Sequence, residues 1–129
     1  MDDSISYDSI LDILKNSVLT EIMIHKDSNN NILDIEYSKQ KVNVTQDKNI
    51  SFPSMMVLSR KNNGLAEKYN INPGDIILKI NNTNVTPQNY HQLMTSSKNI
   101  NILIDSKYTW LYQAIINDPK QKKKFNLFS

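Results

Sequence analysis

Cysteine is absent from this 129-residue chain, and glycine occurs only at Gly64 and Gly74. The lack of cysteine excludes a disulfide framework, a thiolate zinc site and a cysteine nucleophile. So few glycines exclude a Walker loop and a dinucleotide fingerprint, and no serine lies in a Gly-x-Ser-x-Gly elbow. No spaced histidine and acid complete a catalytic triad. We therefore expect a protein that is not an enzyme and needs no cofactor.

The chain also lacks a basic-then-apolar start, and no apolar run approaches the roughly 20 residues that span a bilayer. These absences predict a cytoplasmic protein without a signal peptide or a transmembrane segment. Charge is nearly balanced, with 15 Lys and Arg residues against 13 Asp and Glu residues. A nucleic-acid binder usually carries a strongly basic face, so the composition argues against nucleic acid as the partner.

The pattern of apolar residues predicts an α+β protein. Alternation and short apolar runs predict strands at 19–25, 32–38, 55–58, 76–80 and 100–104, and residues 40–51 are expected to form a long loop or weak strand. Helical spacing and capping residues predict helices after Ser6, after Gly64, from Thr86-Pro87 and over 110–117. This order predicts a small, partly open antiparallel β-barrel capped by two helices, with a helical extension at each end.

The most specific motif lies around the two glycines. Gly64-Leu65-Ala66 is followed, after a short helical stretch, by the run Ile71-Asn72-Pro73-Gly74-Asp75-Ile76-Ile77-Leu78-Lys79-Ile80-Asn81-Asn82-Thr83-Asn84-Val85. This resembles the PDZ-domain pattern Gly-x-Ala, then x-Pro-Gly-Asp-x-Ile-Leu-x-Ile-Asn-Gly-x-x-Val. Asn70 and Asn82 stand where the family often has glycine, and asparagine reaches the left-handed region. The resemblance implies an N-terminal extension at 1–18, a PDZ-like domain at 19–105 and a C-terminal helix and tail at 106–129.

The turn at Pro73-Gly74 is expected to have a structural role. Glycine at position 74 lets the chain turn tightly after Pro73, and Asp75 can accept backbone N–H bonds within that turn. Gly64, Gly74 and Asp75 are therefore expected to build the fold and not to form a catalytic site.

The PDZ resemblance implies a peptide-binding groove between the second strand and the second helix of the domain, where a partner segment adds as a strand. The predicted contacts are Ile32, Leu33, Asp34, Ile35, Glu36 and Tyr37 on the strand and Pro87, His91 and Met94 on the helix. This register keeps Tyr90 and Leu93 in the core. A gapless register would instead place Tyr90, Met94 and Ser97 in the groove.

The carboxylate-binding loop departs from the family pattern. Ile32-Leu33-Asp34-Ile35 stands where the family usually has Gly-Leu-Gly-Phe, and Asn30-Asn31-Ile32-Leu33 is a second possible register. A carboxylate at Asp34 would repel a ligand's terminal carboxylate unless its side chain points outward. Pro87 replaces the histidine that selects Ser or Thr two residues before a ligand's C-terminus, which argues against a class-one ligand.

Both histidines and both ends of the chain allow further interpretations. His25 and His91 have no second ligand at useful spacing, so no metal site is expected. The first helix either docks a partner or packs on its own domain. The basic tail consists of Lys120, Lys122, Lys123 and Lys124. It could bind an anionic membrane surface, serve as a nucleic-acid tail or docking motif, or remain a solvated terminus.

These observations predict a non-catalytic protein–protein interaction module, an adaptor that binds a protein or peptide partner by β-strand addition. The alternative is a structural subunit of a larger assembly, in which the PDZ-like fold is a scaffold and the terminal extensions make the contacts. A filled space between the strand and the helix would favour the scaffold, whereas an open one would favour peptide binding.

Overall fold

The computed structural model describes residues 7–44 and 50–117 and has an α+β fold. Its strands are Leu19–His25 (β1), Ile35–Tyr37 (β2), Val42–Asn43 (β3), Ser51–Phe52 (β4), Val57–Arg60 (β5), Ile76–Ile80 (β6), Thr83–Asn84 (β7) and Asn99–Asp105 (β8). Its helices are Tyr7–Ile13 (α1), Leu65–Lys68 (α2), Tyr90–Met94 (α3) and Thr109–Ile116 (α4). The predicted α+β class is confirmed at this level.

The strands pair antiparallel in three sheets. The largest has the order β1-β8-β6-β7, and the two smaller sheets pair β2 with β5 and β3 with β4. An isolated bridge between Met56 and Ile76 joins the segment before β5 to the large sheet. Within the described ranges these sheets do not close into a barrel.

Two apolar clusters hold the elements together. The first lies between the large sheet, β2 and α3, and its fully buried side chains include Ile24, Leu33, Ile77, Met94 and Ile102. Burying each such side chain contributes about 1.5–3 kcal/mol relative to leaving it exposed. This cluster fixes α3 opposite β2, which is where the sequence predicts a binding groove.

The second cluster brings the two terminal helices onto the domain. Phe52 and Tyr112 lie at its centre with their rings in edge contact, 5.9 Å between centroids. Apolar residues of and just after α1, Ile10, Leu11 and Leu14, pack against this cluster. The helix α1 therefore packs on its own domain, the second of the two interpretations of this segment. Ser6, its predicted cap, lies outside the described residues.

The turn at Gly74 explains why that glycine is needed. Its φ is +98°, and a Cβ there would lie 2.7 Å from the Cα of Thr109 in α4. Asp75 is buried and accepts hydrogen bonds from the Asn72 backbone N–H (2.8 Å) and from the hydroxyls of Ser106 and Thr109. The predicted N–H acceptor role of Asp75 is confirmed, and its second oxygen also anchors the start of α4.

Gly64 does not have the same role. Its φ of −85° is open to any residue, although a Cβ would lie 3.2 Å from the carbonyl oxygen of Lys61. The left-handed residue in that turn is Asn63, and the same conformation occurs at Asn70, Asn81 and Asn82. Asparagine thus supplies most of the left-handed turns of this glycine-poor chain, because it tolerates positive φ better than most residues.

Several predicted boundaries shift for local reasons. The strand predicted at 32–38 is limited to β2, since Asp34 adopts φ +57° and breaks the extended run. The strand predicted at 55–58 begins at Val57, since Met55 has φ +65°. Val18, the last residue of the predicted N-terminal extension, lies beyond the end of α1 and is exposed.

The helix predicted from Thr86-Pro87 begins at Tyr90. Thr86 and Asn89 exchange two hydrogen bonds, from each backbone N–H to the other's side-chain oxygen, and form a turn before the helix. The short strands β3, β4 and β7 are too brief to leave a periodic signal, and part of the loop predicted at 40–51 lies outside the described residues. None of the helices in the described ranges has the length and apolar character needed to cross a bilayer.

Candidate functional site

The predicted strand side of the groove divides into buried and exposed positions. Leu33 is fully buried, and its carbonyl accepts the N–H of Ala66 at 3.3 Å. Ile32, Ile35 and Tyr37 are half-buried, whereas Asp34 and Glu36 are exposed. Leu33 was predicted to contact a peptide, but its side chain and carbonyl are both engaged inside the domain. The accessible part of this strand is therefore shorter than predicted.

The backbone of β2 is bonded on one side only. The Lys61 N–H donates to the carbonyl of Asp34 at 3.0 Å, and Glu36 pairs with Ser59 two residues further on. Because backbone groups alternate sides along an antiparallel strand, those of Ile35 and Tyr37 point away from β5. In the described ranges β2 pairs with no second strand. This outer edge of β2 and helix α3 bound a space that we call the β2–α3 groove.

The helix side of the groove differs from the preferred register. Met94 has no exposed surface, Pro87 is half-buried and His91 is exposed. The predicted contact role of Met94 is therefore not available in this arrangement. Tyr90 is buried, as the register that placed it in the core predicts. Its ring also contacts Tyr37 of β2, as the alternative gapless register predicts.

The β2–α3 groove is filled by aromatic side chains. The rings of Tyr37 and Tyr90 lie 4.8 Å apart between centroids and are tilted by 53°. The hydroxyl of Tyr90 is buried and makes no hydrogen bond of ordinary geometry to the described residues. Burial raises the pKa of Tyr90, as does Tyr37, while a weak interaction of its hydroxyl with the Leu33 backbone lowers it and Asp34 raises it slightly. A buried hydroxyl without a partner costs about 1–3 kcal/mol.

A buried lysine closes one end of the groove. The ammonium of Lys26 donates to the carbonyls of Asn29 (3.0 Å), Asn31 (3.0 Å) and Met94. Only 6% of Lys26 is exposed, and burial lowers its pKa. All three ammonium hydrogens are thus engaged, and they tie the loop before β2 to the last residue of α3.

Lys26 was missed by the sequence analysis. A lysine that ends an alternating strand is ordinarily solvated, and no spacing marks the three carbonyls that surround it. The polar run after it, Asp27 to Asn31, has the composition of a turn and gives no sign of a buried cation. Only its proximity to the helix end, which is far away in sequence, gives Lys26 its role.

Asp34, which the resemblance to the PDZ pattern aligns with a glycine, adopts a backbone conformation that glycine favours. Its φ of +57° is left-handed, and its side chain is exposed. An outward side chain weakens the repulsion that Asp34 was expected to exert on a ligand's carboxylate. A polar depression of about 350 Å³ adjoins this loop, lined by Asn30, Asn31, Ile32, Asp34, Asn63, Gly64 and Leu65.

The remaining predicted residues lie apart from the groove. His25 bonds the side chain of Asn99, with 2.7 Å between Nδ1 and Oδ1. Across the described residues no three His, Cys, Asp or Glu side chains come together as a metal site would require. The basic tail, Lys120, Lys122, Lys123 and Lys124, lies outside the described residues.

Comparison with known proteins does not assign the chain to a family. Neither models of protein families nor curated protein sequences gave a match to it.

Proposed function

We propose that the chain is a divergent PDZ-like, non-catalytic interaction module that binds an extended segment of a partner protein in the β2–α3 groove. The observation that carries this proposal is the outer edge of β2, which is unpaired in the described ranges and lies opposite α3. Asp34 supports it, because its left-handed φ fits the position at which the PDZ pattern has glycine.

Binding requires the two tyrosine rings to separate. The incoming segment then pairs with the backbone of Ile35 and Tyr37, and each hydrogen bond contributes about 0.5–1.5 kcal/mol. The closed groove therefore predicts weak binding that is limited by opening.

The loop chemistry favours an internal segment over a free C-terminus. Lys26 gives its three hydrogens to carbonyls and has none left for a ligand's carboxylate. Glu36, exposed on β2, adds negative charge beside the path of the segment. A terminal carboxylate would meet this acid without a free cation to hold it.

Peptide selection followed by amide mapping tests the proposal. Two displayed libraries, one with free C-termini and one with the same sequences embedded internally, are panned against the chain, and the selected peptides are titrated by ¹⁵N NMR. We expect internal peptides to shift the amides of Ile35, Tyr37 and α3. Ile35→Pro, which removes an outward N–H, should abolish this binding, and Ile35→Val should keep it. Selected peptides that shift other amides would overturn the proposal.

The filled groove supports a second function. Because Tyr37 and Tyr90 already occupy the space, the fold can be a scaffold whose terminal extensions contact a larger assembly. Tyr90→Ala discriminates the two functions. It should raise peptide affinity if the groove is a binding site, whereas a scaffold gains no peptide binding from an emptied groove. A monomeric chain with mobile ends in solution would count against the scaffold.

A further inference from the structure

A second open strand edge lies on the large sheet, at its β1 border. β1 is an edge strand in the described ranges and pairs only with β8. The N–H of Ser106 bonds the carbonyl of Val18, and the N–H of Lys26 bonds that of Lys98. Since backbone groups alternate sides along the strand, the N–H and C=O groups of Thr20, Ile22 and Ile24 point toward β8. The N–H and C=O groups of Leu19, Glu21 and Met23 therefore point outward. We call these three residues the open edge.

The edge is closed at one end by a side chain. The hydroxyl of Tyr69 accepts the N–H of His25 at 3.0 Å and donates to the carbonyl of the same residue at 3.2 Å. One hydroxyl thus satisfies both outward groups of His25, as a neighbouring strand would. No comparable contact covers the backbone of the open edge within residues 7–44 and 50–117. Because Tyr69 occupies the backbone groups of His25, the region that can accept a strand is limited to Leu19–Met23.

Apolar side chains flank a single acid on this edge. Leu19 and Met23 are each 55% exposed, and Val18 beside them is 54% exposed. Glu21 lies between Leu19 and Met23 on the same face and accepts a hydrogen bond from the amide of Asn101 at 2.9 Å. Glu21 makes no ion pair with any described residue. The exposed surface therefore alternates apolar, acidic and apolar.

We propose that the open edge of β1 binds an extended segment of another protein whose alternate residues are apolar, basic and apolar. Residues directly opposite each other on antiparallel strands place their side chains on the same face. A basic residue opposite Glu21 would complete an ion pair, while its apolar neighbours would cover Leu19 and Met23. This site is separate from the β2–α3 groove and does not depend on it.

Charge argues against a second copy of the chain as the occupant. The symmetric antiparallel register that uses the whole open edge sets Leu19 opposite Met23, but it also sets Glu21 opposite the same residue of the other copy. Like charges directly opposite each other destabilise a strand pair. A foreign segment with a central lysine or arginine avoids this repulsion.

Matched peptides test the proposal on the intact chain. The probe is acetyl-Thr-Ile-Thr-Lys-Thr-Ile-Thr-amide, and its control has Glu in place of Lys. We expect the Lys probe to shift and protect the amides of Leu19, Glu21 and Met23 in ¹⁵N NMR, and to bind about five-fold more tightly than the control. Glu21→Lys should reverse this preference.

A proline variant tests the strand geometry. Met23→Pro removes an outward N–H that β8 does not use, so it should block binding while the β1–β8 amides keep their shifts. Met23→Thr retains the N–H and should still bind. If Met23→Pro unfolds β1, the proposal is tested by Glu21→Lys alone, which should make the chain prefer the Glu control peptide over the Lys probe. Equal affinity for both probes, shifts confined to the β2–α3 groove, or dimerisation that protects the open edge without peptide would each overturn the proposal.

Discussion

The outer edge of β2 and the outer edge of β1 have different surroundings in the described part of the chain. The edge of β2 faces helix α3, and the rings of Tyr37 and Tyr90 fill the space between them. The edge of β1 faces no described element except Tyr69, and Leu19 and Met23 are more than half exposed beside it. In the described ranges both edges have unpaired backbone groups. A partner segment could reach the edge of β1 without moving side chains, whereas at β2 it would have to move Tyr37 and Tyr90.

The filled space beside β2 shows that an unpaired strand edge is not in itself a binding site. At β2 the contact between Tyr37 and Tyr90 would have to be disrupted before a segment could enter, which would lower its affinity. At β1 a segment could pair without displacing a side chain, so the free-energy cost of entry is small. A single acid, Glu21, disfavours pairing with a strand that has an acid opposite it, as charges on edge strands commonly do. Four variants or conditions test how strongly each part of the fold is held.

Replacing the buried lysine should affect the groove most. We expect Lys26→Met to lower the free energy of unfolding by about 3 kcal/mol, because three carbonyls lose a charged donor. Urea unfolding measures this loss, and hydrogen exchange should show faster opening at α3 and β2. The exposed Lys98 is the control, and Lys98→Met should change stability by less than about 0.5 kcal/mol. Equal effects of the two variants would contradict the role assigned to Lys26.

High pH should destabilise the side of the molecule that holds buried tyrosines. Burial, with a contribution from Glu36, raises the pKa of Tyr112 to about 12 from its usual value near 10. The folded state then holds a proton that the unfolded state has lost, so stability is intact below pH 10 and falls as pH rises towards 12. Urea unfolding across this range should show the fall, and Tyr112→Phe should make it shallower. An unchanged slope in the variant would contradict this assignment.

Two tyrosine-to-phenylalanine variants should have opposite signs. Tyr90→Phe removes a buried hydroxyl without a partner and should raise stability by about 1 kcal/mol. Tyr112→Phe removes a hydroxyl that donates to the carbonyl of Leu58 at 2.8 Å, and it should lower stability by about 1 kcal/mol. Thermal unfolding of both variants at neutral pH measures the difference. A loss of stability in Tyr90→Phe would mean that its hydroxyl has a partner.

Removing the cap on β1 should have the smallest effect. Tyr69→Phe frees both outward groups of His25 and should cost about 0.5 kcal/mol, since the site is exposed to water. Hydrogen exchange at the His25 amide should quicken, while that of Ile24, which faces β8, serves as an internal control. The open edge would then be longer, so the Lys probe should bind more tightly. Unchanged exchange at His25 would contradict the capping role.

Local sequence signals were sufficient where a segment's pattern and its environment agree. The strands β1 and β6 begin and end where the alternation and the apolar run predict, and α4 differs from its predicted start by one residue. Asn70, expected to tolerate the left-handed conformation, adopts it just after helix α2. These features depend on backbone preferences and on one buried face, which the residues themselves specify.

The candidate groove could be located from the sequence but not described. The motif around Gly74 indicated which strand and helix would face each other, yet it could not decide which helix residues point toward β2. That choice depends on where α3 begins, and the Thr86–Asn89 turn delays the helix start to Tyr90. The open edge of β1 was not predicted, because alternation reveals which face of a strand is buried and not whether its edge is covered.

The sequence by itself determined the α+β class, the principal strands, and the left-handed turns that asparagine supplies in place of glycine. Three features depend on the tertiary structure: Gly74 contacts α4, the ammonium of Lys26 is bonded by backbone carbonyls, and Tyr90 fills the β2–α3 groove. The unpaired edge of β1 in the described ranges is a fourth. The physical reason is distance along the chain. Turn and strand preferences act between neighbouring residues, whereas burial and hydrogen-bond partnership are fixed by residues that meet only after folding.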